Sequence, residues 1–331
     1  MRLSALDLVP VGEGVTSGQA IQHSLALARE LDRLGFERLW YAEHHNMPAI
    51  ASTTPATMIA LAAQQTQRIR VGSGGVMLPN HAPLQVAESF KMLEALYPGR
   101  IDLGIGRAPG TDQVTALALR RTREALLAND FPDKLEELRD FGSGLQRSHP
   151  FVGVTAYPED VQLPPIWLLG SSDFSAALAA KLGLGFAFAA HFSPDRPDLP
   201  MLAYRREFQA ADGLEVPHAI LAVSVVCAET DAEAARLASS MQLSWVRLRS
   251  GRPSKIPSPE TALSYPYTEV EASVVQAYRQ LQIVGTPGAV RERIESLTKR
   301  TQADEVMVTT VTHDPEARLR SYRLLAAAFE L

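Results

Sequence analysis

Short apolar runs rich in Val, Ile and Leu alternate with longer amphipathic segments along most of this 331-residue chain. Such runs are typical of strands buried on both faces of a parallel sheet, and the segments between them are typical of crossover helices. Eight strand–helix units indicate an α/β chain folded as a (β/α)8 TIM barrel. In this fold, catalytic and binding residues lie at the C-terminal ends of the strands. The eight predicted strands are Leu3–Val9, Phe36–Ala42, Ile69–Met77, Ile101–Gly106, Pro165–Leu169, Gly185–Ala190, Ala219–Cys227 and Asp304–Thr310.

Residues 1–331 are predicted to form one barrel domain with loop insertions, because no boundary or short-period repeat interrupts the alternation. Two connections, Ser143–Pro164 and Arg249–Ser273, are longer than ordinary barrel loops. The second contains four prolines and is predicted to be either a lid over a site, spanning residues 249–273, or a mobile surface excursion. Helical patterns fill the other connections, over Gln19–Leu34, Thr54–Gln65, Leu84–Leu96, Phe174–Leu182 and Asp231–Leu248.

Charge and cysteine content narrow the possible classes of protein. With 32 basic and 37 acidic residues, interleaved along the chain, the net charge is −5, and no one-sided basic surface suited to nucleic acid is expected. A single cysteine, Cys227, excludes an internal disulfide and a thiolate-rich metal site. The sequence shows neither a signal-peptide core nor a run near the ~18 to 20 apolar residues of a membrane span. We therefore expect a cytoplasmic protein without a membrane segment.

The stretch WYAEHHN, residues 40–46, places a carboxylate and two adjacent histidines at the end of the second predicted strand. Side chains alternate in extended backbone, so one of the rings of His44 and His45 can face the barrel mouth while the other faces the loops. That geometry argues against a shared metal ion, and we expect no metal site. Either the pair takes part in function at this strand end, or it only hydrogen-bonds the loop backbone.

The glycine-rich segment RVGSGGVMLP, residues 70–79, lies in the third predicted strand. Glycine weakens a strand and usually marks a bulge or a close approach to the backbone. Gly74 and Gly75 therefore indicate either a bulge needed for barrel curvature or a platform under a planar ligand.

Arg107 follows the fourth predicted strand, in the segment GIGRAPG at 104–110, which is a weak match to a dinucleotide fingerprint. Its planar fork of donors suits a phosphate or a carboxylate, and the alternative is an ion pair with a loop acid. In the segment LGSSDFS at 169–175, a strand gives way to a helix. The free N–H groups there and the hydroxyls of Ser171, Ser172 and Ser175 suit an anion, whereas Ser172 alone is explained as a helix N-cap.

The chain resembles the bacterial-luciferase-like flavin monooxygenases, and most closely their single-chain members related to the luciferase alpha subunit. The resemblance covers nearly the whole chain in order. It rests on residues 38–46, RIRVGSGGVMLPNHAPLQVAE at 68–88, YPGRIDLGIGRAPGTD at 97–112, VGTPGAVRERI at 284–294 and DEVMVTT at 304–310. It implies a (β/α)8 barrel that binds reduced FMN, supplied by a separate flavin reductase, and that uses O2 to oxygenate a small organic substrate. It also implies a homodimer.

Position by position, His44 is similar to the family's active-site histidine beside the flavin, and His45 to its neighbour. Gly74–Gly75 matches the place where family members hold a cis peptide bond against the flavin ring. Bound FMN is therefore expected to lie over these glycines, with His44 as the acid–base candidate.

The resemblance also assigns Arg107, Ser172 and Ser175 to contacts with the FMN phosphate, with Ala108 and Pro109 in the same loop. Ser171 stands where luciferase alpha chains have an acidic residue, and Gly106 where they have a cysteine. Both departures argue against light emission and against a long-chain aldehyde substrate.

Three alternatives remain open at the level of the sequence. A sister branch of the fold uses a deazaflavin for hydride transfer, and a flavin-binding protein without turnover would share the same phosphate contacts. A metal-dependent barrel hydrolase is disfavoured by the geometry expected at the two histidines. Asp7, His191 and His313 are further predicted mouth residues, each with a structural or substrate-pocket role.

Overall fold

The computed structural model describes residues 1–145, 149–193, 195–211 and 213–331. Part of the predicted long connection Ser143–Pro164, namely residues 146–148, lies outside the described residues. Within the described part, no helix is both long and apolar enough to cross a membrane.

Eight parallel strands close into a barrel, which confirms the predicted fold. They pair in the order β1, β2, β3, β5, β6, β7, β8 and β10, and β10 returns to β1. Short β4 pairs with β5 just beyond the end of β3, and β9 pairs with the end of β8 outside the ring. The strands are β1 (Arg2–Asp7), β2 (Arg38–Tyr41), β3 (Arg70–Ser73), β4 (Val76–Met77), β5 (Ile101–Gly106), β6 (Ile166–Gly170), β7 (Gly185–Ala189), β8 (Ala219–Cys227), β9 (Gln282–Gly285) and β10 (Glu305–Thr309).

Helices cover the outside of the barrel, with their apolar faces against the strands. A 3-10 turn, Leu78–Asn80, follows β4. The α-helices are α1 (Ser17–Leu34), α2 (Pro55–Gln64), α3 (Pro83–Leu96), α4 (Gln113–Arg120), α5 (Arg123–Leu127), α6 (Phe131–Ser143), α7 (Asp173–Leu182), α8 (Asp198–Glu207), α9 (Asp231–Arg249), α10 (Pro259–Ser264), α11 (Glu269–Arg279), α12 (Pro287–Thr301) and α13 (Pro315–Phe329).

Close backbone approach explains the glycines of the third predicted strand, which the structure divides into β3 and β4. A Cβ added at Gly74 would lie 2.6 Å from Cδ1 of Leu6 on β1, and one added at Gly75 would lie 2.7 Å from the carbonyl oxygen of Gly104 on β5. Side chains do not fit at either position without movement of these neighbours. The peptide bond between Gly74 and Gly75 is cis.

A buried ion-pair network closes the N-terminal end of the barrel. The Arg38 guanidinium lies 2.9 Å from a carboxylate oxygen of Asp102 and 2.9 Å from one of Glu305. Above this network the interior is filled by apolar side chains, among them Leu6, Trp40, Trp167, Ile220 and Met307. The barrel is therefore a packed core, and the C-terminal end, where the strands run into their longer loops, is left for a site.

The structure adds elements that were not among the predicted ones. Strand β9 was missed because its four residues lie between two amphipathic helices without a long apolar run. The predicted lid region at 249–273 contains the short helix α10 and the beginning of α11, so it is more ordered than a plain loop. The connection between β5 and β6 carries three helices, α4 to α6.

Candidate active site

The carboxylate of Glu43 organises the loops at the end of β2. Its Oε1 accepts hydrogen bonds from Nε2 of His45 at 2.9 Å and from Nε2 of His81 at 2.8 Å, and its Oε2 accepts one from the backbone N–H of Met77 at 3.0 Å. Burial alone would raise the pKa of Glu43, but the donors, led by His81, outweigh it and lower the pKa. An ionised carboxylate therefore joins β2 to β4 and to the segment that follows it.

His44 points to different partners from His45. Its Nδ1 lies 3.1 Å from the carbonyl oxygen of Gly110, and its backbone N–H donates to the carbonyl of Ser52 at 3.0 Å. A carbonyl can only accept, so Nδ1 carries the proton in this contact and Nε2 of the neutral ring keeps a lone pair. Burial lowers the pKa of His44, so the ring is neutral at neutral pH.

The loop after β5 lies against the loop after β2. Gly110 has a φ of +66°, and a Cβ there would lie 2.8 Å from the Glu43 carbonyl oxygen, so the approach requires glycine. The hydroxyl of Thr111 donates to the His45 carbonyl at 2.8 Å, and the Asn46 amide donates to Asp112 at 3.1 Å. These contacts fix the position of the loop that carries Arg107, Ala108 and Pro109.

Arg107 lies beside the beginning of α7, which follows β6. Its guanidinium carbon is 4.4 Å from the centre of the Phe174 ring, a cation–π contact, and no acid among the described residues pairs with it. Ser172 occupies the N-cap position of α7, yet its side chain makes no capping hydrogen bond. Within the described part, Arg107 therefore has no ion-pair partner and the Ser172 hydroxyl makes no capping hydrogen bond, so the donors of Arg107 and of the α7 N-terminus are not used by these contacts.

The three serines before and within α7 differ in exposure. Ser171 and Ser172 are partly exposed where β6 ends, whereas Ser175 is buried with its hydroxyl against the backbone of Gly170. The structure therefore places two of the predicted hydroxyls at the surface of the turn and one beneath it.

Two of the other predicted mouth residues have structural contacts. Asp7 is buried outside the barrel, where it accepts hydrogen bonds from Ser24 at 2.6 Å and from Arg318 at 2.7 Å. His313 donates from Nε2 to the carbonyl oxygen of Glu13 at 3.0 Å. Neither side chain is positioned toward the centre of the mouth by these contacts.

An apolar hollow opens on the side of the mouth formed by the ends of β1, β2 and β10 and by α9. No described residue that lines it is charged, and its walls include Leu8, Met47, Ile50, Trp245, Ile256 and Val311. The segment before α10 forms one wall, because the Ile256 N–H donates to the Val11 carbonyl at 2.9 Å and the Ile256 carbonyl accepts from the Glu13 N–H at 2.8 Å.

Sequence reasoning missed three contributors to this site. His81 hydrogen-bonds the same Glu43 oxygen as His45, but the sequence around it, PNHAP, matches no periodic pattern or motif that would indicate this contact. Phe174 was assigned only to a helix, and its exposed ring beside Arg107 depends on the relative position of two loops. The hollow combines residues from five separate segments, which only the fold brings together. Among the described residues, no cluster of three or more potential metal ligands is present.

Comparison with known proteins gives a consistent result. The family model described as luciferase-like monooxygenase matches residues 1–305. A luciferase-like monooxygenase of Escherichia coli K12 is 43% identical over 321 residues, covering 97% of this chain and 95% of the relative. An N-acetyl-S-alkylcysteine monooxygenase of Bacillus subtilis is 35% identical, covering 99% and 98%. The crystal structure of apo-MsnO8 has a TM-score of 0.90 and 40% identity, covering 100% of this chain and 98% of that one.

The Glu43 carboxylate generates the first prediction. Glu43→Gln should lower the free energy of unfolding by ~1.5 to 3 kcal/mol at neutral pH, because a charged acceptor of three hydrogen bonds is lost. The folded-state pKa of Glu43 is lowered, so its stabilisation is present above the ordinary value of 4.5 and is lost as the pH falls through the folded value. Urea unfolding of both proteins at several pH values measures this difference.

The matched control is Glu136→Gln, since Glu136 is exposed on α6 and should change stability little. If the two variants are equally stable, or if the deficit of Glu43→Gln does not shrink in acid, the organising role of this carboxylate is wrong.

Proposed function

This chain belongs to the luciferase-like monooxygenase family, and from that premise we propose that it uses reduced FMN and O2 to oxygenate a small, largely apolar organic molecule. The observation that carries the proposal is the arrangement of the mouth. Donors of Arg107 and α7 lie at the ends of β5 and β6, an uncharged hollow lies at the ends of β1, β2 and β10, and the His44 loop touches the loop of Arg107.

The phosphate of FMN would be held by Arg107, by the hydroxyls of Ser171 and Ser172 and by the free N–H groups at the beginning of α7. A guanidinium and a helix N-terminus both favour a dianion, and no described acid competes for Arg107. Ser175, whose hydroxyl lies beneath this turn, would be the third serine to contact the phosphate, and Ala108 and Pro109 would set the position of Arg107 within its loop. The Asn80 amide donates to the Pro109 carbonyl at 2.9 Å, which fixes that loop from its other side.

The flat ring system would lie against the backbone of Gly74 and Gly75. When bound, reduced FMN supplies the electrons for the reduction of O2, one atom of which is transferred to the substrate. The protein's contribution would be to orient both molecules and to exclude water, with the backbone of the Gly74–Gly75 peptide as the surface beneath the ring.

His44 would take up or release the proton that accompanies oxygenation. Its Nδ1–H is held by the Gly110 carbonyl, so Nε2 is the atom that exchanges the proton, and burial keeps the ring neutral and ready to accept one. His45 supports this geometry from the other side, through Glu43.

The substrate would enter the apolar hollow. Its uncharged walls favour hydrocarbon or thioether groups over multiply charged molecules, because a buried charge without a partner is costly. The segment 249–273 would act as the lid predicted from the sequence, since its residues Pro253, Ser254 and Ile256 already form one wall of the hollow.

FMN is the flavin we propose, because two relatives, at 43% and 35% identity, are named monooxygenases. Distant barrels of the same fold have been solved with FMN and with an adduct of the deazaflavin F420. The reduced FMN would come from a separate reductase. The alternative is a protein that binds a deazaflavin and transfers hydride, and comparing the binding of the two reduced cofactors distinguishes it from an FMN-dependent monooxygenase.

The phosphate site gives the second prediction. Arg107→Ala should weaken the binding of reduced FMN by ~1.5 to 3 kcal/mol, the range of a lost charged hydrogen bond, and Arg107→Lys should recover only part of it because the planar fork is absent. Anaerobic titration measures the affinities. Arg33→Ala, in the exposed last turn of α1 at the other end of the barrel, is the control. Equal affinities of the Arg107 and Arg33 variants would exclude the phosphate role.

The third prediction separates the two adjacent histidines. His44→Ala should reduce single-turnover oxygenation by ~10² to 10⁴, the usual range for a positioned proton-transfer group, with flavin binding largely retained. His45→Ala should act through the Glu43 contact and so mainly on stability and flavin affinity. The measurement starts from prebound reduced FMN in both variants. Comparable losses in the two, or rescue by added zinc, would contradict the assignment.

The lid proposal gives the fourth prediction. Trypsin cleavage after Lys255 should slow when FMN and an apolar substrate are bound, because a bound molecule would fill the hollow that this segment lines and would stabilise its contacts with the loop after β1. Cleavage after the exposed Arg206 at the end of α8 serves as the internal reference. A ratio of the two cleavage rates that does not change on binding would eliminate the lid.

A further inference from the structure

His191 lies across the barrel mouth from His44. It follows β7, and the ring of strands runs β2, β3, β5, β6, β7, so the two histidines extend from opposite sides of the eight-stranded barrel. A tight turn, closed by the Ser193 N–H donating to the Ala189 carbonyl at 3.3 Å, holds the His191 backbone at the end of its strand.

The Nδ1 atom of His191 is buried and has no hydrogen-bond partner among the described residues. Buried polar atoms in native proteins are nearly always hydrogen-bonded, and unpartnered ones often belong to sites that a ligand or water completes. The ring is packed edge-on against Phe192, with 4.7 Å between the ring centres, so its direction is set by packing. His191 thus combines a fixed orientation with an unused polar atom.

Both rings are neutral at neutral pH. Burial lowers the pKa of His191 to about 4, the Ala222 carbonyl opposes this effect, and a positive charge on His44 would lower it further. Burial also lowers the pKa of His44, on which Glu43 acts to raise it and His45 to lower it. A proton on one ring therefore disfavours a proton on the other.

We propose that His191 is a second residue that accepts and donates protons, and that it contacts the bound flavin or its substrate opposite His44. Only one of the two rings is protonated at a time. A neutral imidazole offers one donor and one acceptor, so two such rings can accept a proton on one side of a bound molecule and donate one on the other. This inference rests on the proposed function, but the coupling between the rings is a property of the protein without flavin.

The first arm of the test therefore uses the flavin-free protein. Ring titrations followed by nitrogen NMR should place the pKa of His191 well below its ordinary value in the wild type and higher in His44→Gln. The matched control, His23→Gln, removes an exposed histidine on α1 and should leave His191 unchanged. A His191 titration that does not respond to His44→Gln would overturn the pairing, whatever the protein binds.

The second arm adds reduced FMN under anaerobic conditions. We expect the ring signals of both His44 and His191 to shift while those of His23 stay in place, and we expect His191→Asn to keep flavin binding while narrowing the pH range of single-turnover oxygenation. A shift at His44 with none at His191 would refute the contact. Coupled rings with no flavin-induced shift at His44 would instead refute the proposed function and leave the pairing supported.

Discussion

One buried carboxylate determines the geometry of this active-site candidate. Glu43 collects donors from His45, from His81 and from the Met77 backbone, so the end of β2 and the segment after β4 share one ionised acceptor. The side chains of Glu43 and His45 lie on one side of the chain and contact each other. The side chain of His44, between them, points the other way and contacts the Gly110 carbonyl. The adjacent histidines of WYAEHHN therefore have different partners. One is fixed by an anion, and the other keeps a lone pair available.

The same loop contact connects the two sides of the mouth. The loop after β5 accepts the hydrogen bond from the His44 ring and also carries Arg107. A movement of this loop at Arg107 would therefore also change the position of the His44 ring. The hollow on the far side is uncharged, and the segment before α10 closes one wall of it by two backbone hydrogen bonds. The proposed anion-binding, proton-exchange and substrate-binding regions therefore lie on separate but connected parts of one barrel face.

The sequence predicted the fold because strand and helix alternation depends on local periodicity, and each of the eight predicted runs overlaps a barrel strand. It also predicted that His44 and His45 face different ways, since alternation in extended backbone is local. The sequence could not show that His81 joins Glu43 or that Phe174 lies under Arg107, because these contacts link loops whose conformations depend on the whole barrel. Strand β9 was not predicted because its four residues do not form a long apolar run. The roles assigned to individual residues in flavin binding remain predictions.

The most direct test of the central claim compares two cofactors in the same protein. Anaerobic titrations with reduced FMN and with reduced F420 should show saturable binding of FMN, and admission of O2 should then oxidise the bound FMN with consumption of oxygen. We expect weaker binding of the deazaflavin and no oxygen consumption with it. Saturable binding of reduced F420 together with no binding of reduced FMN would contradict the account.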